Sequence, residues 1–182
     1  QGVTVMEYQK QVERWGVQEI ILQGPETGNP FTEQWVRGTF SCAAQKVSVE
    51  GFYDGEGIYK VRFMPAFEMP YHFEIEASFL DGKEEGDFAV TPPLEGNHGP
   101  VHVAYTYHFA YEDGTPYYPV VTTCYVWELQ SEELQEETLR ELAKGYFNKI
   151  RFCVFPKHYI YNFHEPISYP YEGTPCDTSE MT

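Results

Sequence analysis

Short runs of β-branched and aromatic residues recur between residues 17 and 91, and turn-forming residues separate them. In residues 58–63 (IYKVRF) and 71–76 (YHFEIE), apolar side chains alternate with charged or polar ones, which is typical of strands with one buried face. About seven such strands in roughly ninety residues predict an immunoglobulin-like β-sandwich, so we expect a mainly β fold. The principal predicted strands are residues 17–23, 35–43, 46–50, 58–64, 71–77 and 86–91.

The pattern changes after residues 92–100 (PPLEGNHGP), which are too rich in Pro and Gly to continue a strand. Short strands are predicted at residues 101–105, 107–111, 117–122 and 148–154. An amphipathic helix is predicted at residues 131–144, because Ser131 can cap it and Gly145 follows its last turn. We therefore divide the chain into a sandwich at residues 1–95 and a second part at residues 96–182.

The second part contains a strand, a helix and a second strand in succession, which form a βαβ unit with parallel strands. From Phe155 to Thr182 the sequence predicts no further helix or strand. A two-stranded parallel sheet leaves apolar side chains uncovered on at least one side, here Val120, Val121, Ile150, Phe152 and Val154. We therefore expect residues 96–182 to begin a larger α/β domain, and we expect copies of the chain to associate into a homo-oligomer through these surfaces.

The net charge of the chain is −16, from 28 acidic and 12 basic residues. Such a field repels nucleic acids and anionic membrane surfaces, so neither is an expected partner. No stretch approaches the ~20 apolar residues of a membrane span, and the first residues lack the pattern of a signal peptide. The expected location is cytoplasmic, or extracellular if a signal peptide has been removed.

No motif in the sequence identifies a catalytic residue, a cofactor or a metal ion. His98 and His102 have the spacing of zinc ligands on a helix, but Gly99 and Pro100 exclude a helix there. No G-x-S-x-G motif is present, and no Gly-rich phosphate loop follows the strand at 117–122. Most of the numerous carboxylates are assigned to solvated surfaces.

Four residues of the second part are candidates for substrate binding. The carboxyl ends of parallel strands carry the functional residues of α/β folds, so residues 122–127 and 151–158 are expected at one edge. There, Trp127 can stack on a sugar ring, and Arg151, Lys157 and His158 can donate hydrogen bonds to hydroxyls or hold a carboxylate. The alternative is that Trp127 packs under its loop and Arg151 pairs with a barrel carboxylate.

Ordered motifs along the chain resemble two known families. ERWGV at 13–17, GFYDG at 51–55 and GNHGPV at 96–101 resemble a bacterial immunoglobulin-like domain of unknown function that precedes a catalytic barrel. FNKIR at 147–151 and VFPK at 154–157 resemble the opening of the apiosidase-like glycoside hydrolase barrels.

The resemblance implies that the second part is the start of an incomplete TIM barrel, whose catalytic carboxylates lie beyond Thr182. It also implies that Arg151 supports the nucleophile. Residues 128–130 (ELQ) depart from the polar continuation that is usual after the tryptophan, so the sugar contacts of this loop stay open.

The function implied is an accessory sandwich joined to a truncated barrel of a glycoside hydrolase that acts on plant or microbial glycans. We expect the fragment itself to be inactive, and we expect neutral oligosaccharides or polysaccharides to bind through the parent enzyme. Two alternatives stay open. The sandwich either binds carbohydrate through aromatic residues or is a purely structural spacer. The candidate aromatics are Trp15, Trp35, Phe52, Tyr53, Tyr59 and Phe63, although core packing explains them more simply.

Overall fold

The structure is a computed structural model that describes residues 6–154 of the 182-residue chain. It is mainly β and divides into two units, residues 1–116 and 117–182. The strands are β1 (Met6–Glu7), β2 (Gln11–Glu13), β3 (Gln18–Gln23), β4 (Val36–Ser41), β5 (Lys46–Glu50), β6 (Phe52–Tyr53), β7 (Ile58–Phe63), β8 (Tyr71–Ala77), β9 (Glu84–Thr91), β10 (Val101–Ala104), β11 (His108–Tyr111), β12 (Pro116–Tyr117), β13 (Val121–Thr123) and β14 (Lys149–Arg151). The helices are α1 (Pro30–Glu33), a 3₁₀ helix (Trp127–Leu129) and α2 (Glu132–Ala143). The predicted domain boundary at residue 95 stays a prediction.

The first unit is built around a two-sheet β-sandwich. One sheet has the order β1-β3-β7-β6, and the other has the order β2-β9-β8-β4-β5. Fully buried side chains of both sheets meet in one core, with Ile20 and Val61 from the first sheet and Phe40, Phe73 and Ile75 from the second. This confirms the predicted sandwich, while its assignment to the immunoglobulin-like class stays a prediction.

The burial of side chains alternates along the strands and shows which face of each sheet packs in the core. In β8, the residues from Tyr71 to Ala77 are alternately buried and half-buried, so His72, Glu74 and Glu76 lie on the outer face. The predicted strands at 46–50 and 71–77 are confirmed without change, and the other four differ by at most two residues at either end. The short elements β1, β2, β6 and α1 were not predicted.

Two tyrosines in the core illustrate how its polar atoms are satisfied. The Tyr59 hydroxyl donates to the Pro25 carbonyl at 2.7 Å, and the Gln45 side-chain amide donates to the Tyr71 hydroxyl at 2.8 Å. Burial raises the pKa of both hydroxyls. Tyr59 and Phe63 are therefore core residues and not part of an exposed carbohydrate platform, whereas Trp35 is 50% exposed.

Residues 94–116 attach to the end of the sandwich through a few close contacts. A Cβ atom on Gly99 would lie 2.7 Å from Trp15 Cδ2, so only glycine allows this approach, and its φ of +79° also favours glycine. His98 Nδ1 lies 2.7 Å from Asp113 Oδ2. The His98 hydrogen bond, followed by that of the Thr115 backbone N–H, lowers the pKa of Asp113 to about 2.

The second unit contains the predicted parallel pair. β13 and β14 pair in parallel, with Val121 opposite Lys149 and Thr123 opposite Arg151, and α2 lies between them in the chain. Ser131 caps α2, as predicted, by accepting a hydrogen bond from the Leu134 backbone N–H at 3.4 Å. These contacts confirm a βαβ unit, while its membership of a barrel stays a prediction.

The single strand predicted at 117–122 is wrong in extent. The chain forms the two short strands β12 and β13, and residues 118–120 between them are not in a strand. Pro119 lies in this gap and has no backbone N–H with which to extend a ladder. The strand predicted at 148–154 is likewise shorter in the structure, where it forms β14.

Apolar side chains of the second unit stay uncovered within the described residues. Helix α2 has no buried residue, and Val120, Val121, Phe152 and Val154 are each at least 40% exposed. These exposures agree with the predicted open faces of the βαβ unit, whereas the predicted homo-oligomer stays a prediction. None of the helices in residues 6–154 has the length and apolar character that a transmembrane span requires.

Candidate functional site

The carboxyl ends of β13 and β14 lie side by side. Beyond the strands, the Cys124 N–H donates to the Arg151 carbonyl at 2.9 Å, and the Cys153 N–H donates to the Tyr125 carbonyl at 2.9 Å. These two bonds extend the parallel ladder into the following loops. We call residues 123–127 and 151–153 the strand-end site, and it brings Trp127 and Arg151 to one edge.

Two contacts fix the orientation of Trp127 at the start of the 3₁₀ helix. Its indole Nε1–H donates to the Gln135 carbonyl of α2 at 3.1 Å. Its ring meets the Phe152 ring at an interplanar angle of 68°, with 5.6 Å between the centroids. The indole N–H is therefore engaged within the protein, and a ligand would interact with the partly exposed ring by stacking.

Arg151 is exposed and lies above an aromatic ring. Its guanidinium carbon is 5.9 Å from the centre of the Tyr125 ring, near the outer limit of a cation–π contact. Within residues 6–154, no carboxylate lies within ion-pair distance of this guanidinium. Because a guanidinium carries five N–H donors, Arg151 retains the capacity to bind a carboxylate or several hydroxyls.

A pocket of about 450 Å³ opens between the Cys124–Trp127 loop and α2. This volume lies within the range of about 300–1,000 Å³ that is typical of small-molecule sites. Its lining is mixed, with hydroxyl, thiol, amide and aromatic groups beside aliphatic ones. The lining residues are Thr123, Cys124, Tyr125, Val126, Trp127, Gln130, Leu134 and Thr138.

Sequence reasoning placed residues 122–127 at this edge, and five of the eight lining residues lie in that range, but it missed Gln130, Leu134 and Thr138. Leu134 and Thr138 are four residues apart in α2, which is the spacing of one helix face, and that signal was available in the sequence. Gln135 and Phe152 contact Trp127 only in the folded chain, and no pattern in the sequence indicates these contacts. Two of the predicted substrate-binding residues, Lys157 and His158, lie outside the described residues.

Glu128 adjoins Trp127 and has an unusual environment. Both of its carboxylate oxygens are inaccessible to solvent, and neither has a hydrogen-bond partner within the part of the chain that the structure describes. Its backbone carbonyl accepts a hydrogen bond from the Gln135 side chain at 3.1 Å. Burying a carboxylate without a donor costs free energy, and within residues 6–154 no hydrogen bond offsets this cost for the Glu128 side chain.

Comparison with known proteins found a matching family for part of the sandwich and a similar crystal structure for most of the chain. Residues 11–78 match a family described as "Domain of unknown function (DUF5060)". The crystal structure of a "putative glycoside hydrolase" from Bacteroides vulgatus ATCC 8482 is similar over 90% of this chain, with 42% identity and a TM-score of 0.83. The chain spans 32% of the length of that protein.

Two other solved structures are similar only at a low level. An engineered protein shares 14% identity at a TM-score of 0.36, over 50% of this chain and 20% of its own. The superoxide reductase (neelaredoxin) of Ignicoccus hospitalis shares 11% identity at a TM-score of 0.30, over 50% of this chain and 81% of its own. Neither similarity indicates the fold or the function of this protein. No curated protein matches it. The chain is therefore structurally similar, over most of its length, to about a third of the Bacteroides vulgatus protein.

Proposed function

We propose that this chain forms part of a glycoside hydrolase, with the sandwich as an accessory domain and the β13–α2–β14 unit as the start of a (β/α)8 barrel. The observation that carries the proposal is the parallel pairing of β13 and β14, since it gives Trp127 and Arg151 a common edge. Active sites of such barrels lie at the carboxyl-terminal edge of the strands. The 42% identity to the Bacteroides vulgatus protein supports the proposal.

In this proposal the catalytic carboxylates belong to the remainder of the whole protein. A (β/α)8 barrel has eight parallel strands in about 250 residues, and the described residues contribute only β13 and β14 to it. Glycoside hydrolysis needs a pair of carboxyl groups about 5–9.5 Å apart across the scissile bond. The chain of 182 residues is accordingly proposed to be inactive by itself.

The proposed substrate is a neutral plant or microbial glycan. The net charge of −16 repels polyanionic polymers, although this repulsion is screened at physiological salt. In the proposed complex, the Trp127 ring stacks on a sugar ring and Arg151 donates to hydroxyls or supports the nucleophile. Lys157 and His158 are kept as further proposed donors.

The second candidate function is carbohydrate binding by the sandwich itself. It is favoured by the side chains of Trp35, 50% exposed, and Phe31, 42% exposed. This alternative predicts that the 182-residue chain binds oligosaccharides and that Trp35→Ala abolishes binding. A purely structural sandwich predicts no binding by the chain.

The test is hydrolysis of neutral aryl glycosides and oligosaccharides by the whole protein and its variants. We expect Trp127→Ala and Arg151→Ala each to lower kcat/KM by about 5- to 30-fold, since each removes a contact worth roughly 1–2 kcal/mol. Trp35→Ala should leave kcat/KM unchanged. Tyr146→Ala is the matched control, because Tyr146 is an aromatic residue of the same unit, 93% exposed, outside the strand-end site. Absence of glycosidase activity in the whole protein, or hydrolysis by the 182-residue chain, would contradict the proposal.

A further inference from the structure

We propose that the outer face of the five-stranded sheet binds one divalent transition-metal ion of the zinc type through His72, Glu74 and Glu85. His72 and Glu74 are two residues apart on β8, so both side chains lie on the same face. Glu85 lies on β9 directly opposite Glu74. The ligand atoms of the three side chains lie within 4.8 Å of one another. This inference concerns the sandwich and is independent of the proposed hydrolase function.

The imidazole of His72 is already oriented for metal binding. Its Nδ1 lies 2.9 Å from Asp87 Oδ1, and a carboxylate can only accept, so Nδ1 carries the proton. In the neutral ring this leaves the lone pair on Nε2, which lies 3.7 Å from Glu85 Oε2. A carboxylate that fixes the tautomer and orientation of a metal-binding histidine is a recurrent arrangement at zinc sites.

The spacing between donor atoms fits the coordination sphere of zinc. Zinc–nitrogen and zinc–oxygen bonds are about 2.0–2.2 Å, so donors in a tetrahedral site are roughly 3.3–3.6 Å apart. The 3.7 Å between His72 Nε2 and Glu85 Oε2 is close to this value. The widest separation in the cluster, 4.8 Å, requires one carboxylate to move inward. The Glu85 side chain, 70% exposed, is free to do so by a change of rotamer.

Charges on this face favour a bound cation. Glu74 and Glu85 form a directly opposed cross-strand pair of like charge, which is unfavourable in a β-sheet. Lys83 offsets part of this charge by contacting Glu74 at 3.3 Å and Glu76 at 3.4 Å. A divalent ion between His72, Glu74 and Glu85 would neutralise the remaining pair.

The neighbouring strand supplies no competing cation next to the three ligands. On the other side of β8, β4 presents Ser41 opposite His72 and Thr39 opposite Glu74. Arg37 of the same strand is bound to Glu50, at 2.7 Å between Nη2 and Oε1. Lys83 is therefore the cation that a metal ion has to displace from Glu74, and its contact with Glu76 allows that displacement.

The composition of the site indicates which ions it binds. One imidazole and two carboxylates suit zinc and similar transition metals, whereas Mg²⁺ and Ca²⁺ prefer oxygen ligands alone. We therefore expect zinc chloride to bind with a stoichiometry of one and magnesium chloride at the same concentration not to bind.

Isothermal titration calorimetry of the 182-residue chain with zinc chloride tests the site. His72→Ala and Glu85→Gln should each weaken zinc binding by at least about tenfold, and Asp87→Asn by about 10- to 100-fold, because Asp87 orients the imidazole. His102→Ala is the matched control. His102 is also an exposed histidine near a carboxylate, 3.5 Å from Glu112, and its loss should leave zinc binding unchanged.

Thermal unfolding supplies a second, independent readout. Zinc should raise the Tm of the unmodified chain and of His102→Ala, because a ligand that binds only the folded state stabilises it. The same zinc concentration should raise the Tm of Glu85→Gln by less, and this variant is chosen because the exposed position is not needed for folding. Equal zinc affinity in the unmodified chain and Glu85→Gln, or no binding at millimolar zinc, would overturn the proposal.

Discussion

Asn148 joins the two parallel strands that carry the strand-end site, so its removal should loosen them measurably. Its side-chain Oδ1 accepts from the Val120 N–H at 2.9 Å, and its Nδ2 donates to the Tyr118 carbonyl at 2.9 Å. A net contribution of about 0.5–1.5 kcal/mol for each bond gives an expected loss of roughly 1–3 kcal/mol for Asn148→Ala. Because the two side-chain bonds are exposed, the loss should lie near the lower end of this range.

Amide hydrogen exchange, followed by NMR, measures this loss of stability at the Val120 amide. Loss of the acceptor should speed exchange at the Val120 amide by about fivefold for each kcal/mol, if exchange proceeds by local opening. Asn148→Asp keeps the acceptor for Val120 and loses the donor to Tyr118, so it should protect this amide better than Asn148→Ala does. Equal exchange rates at Val120 in the unmodified chain and Asn148→Ala would refute the hydrogen bond between the Val120 N–H and the Asn148 side chain.

Three further predictions follow from individual contacts. Gly99→Ala should destabilise the first unit by about 1–3 kcal/mol in urea unfolding, because its Cβ would meet Trp15 at 2.7 Å in a backbone with φ +79°. Gly55→Ala is its control, with φ +87° and no atom within 4 Å, and an equal cost in both variants would contradict the role of Trp15. The pKa of Asp113, about 2 in the folded state, lies below the ordinary value of 3.8, so its contribution to stability is present above pH 4 and is lost as the pH falls toward 2. Asp113→Asn should flatten this part of the stability profile measured by urea unfolding, and an unchanged profile would argue against the pair with His98. Glu128→Met should raise the free energy of unfolding by roughly 1–3 kcal/mol, since it removes a buried carboxylate that has no hydrogen-bond partner among residues 6–154, whereas a loss of stability would indicate a donor for that carboxylate.

The sandwich strands could be predicted because burial imposes a period of two on long strands. Residues 71–77 alternate throughout, and the structure places the apolar set in the core. By contrast, β1 and β6 have two residues each, which is too short for any periodicity to be detected. The break inside the strand predicted at 117–122 contains Pro119, which reasoning from β propensity alone did not take into account.

The candidate site was predictable only as far as chain topology determines it. The strand–helix–strand order implies parallel pairing, which is why Trp127 and Arg151 were expected at one edge. The contacts of Trp127 with Gln135 and Phe152 depend on how α2 packs and on strand register, and neither can be read from spacing. The same holds for His72 and Glu85, which meet only because β8 and β9 pair in one register.

The most direct test of the central claim is a crystal structure of the whole protein with a neutral oligosaccharide bound. Our account predicts β13 and β14 as adjacent strands of a closed barrel, with a sugar ring stacked on Trp127 at their carboxyl ends. Strands β13 and β14 outside any barrel, or an oligosaccharide bound at Trp35 on the sandwich instead, would contradict it.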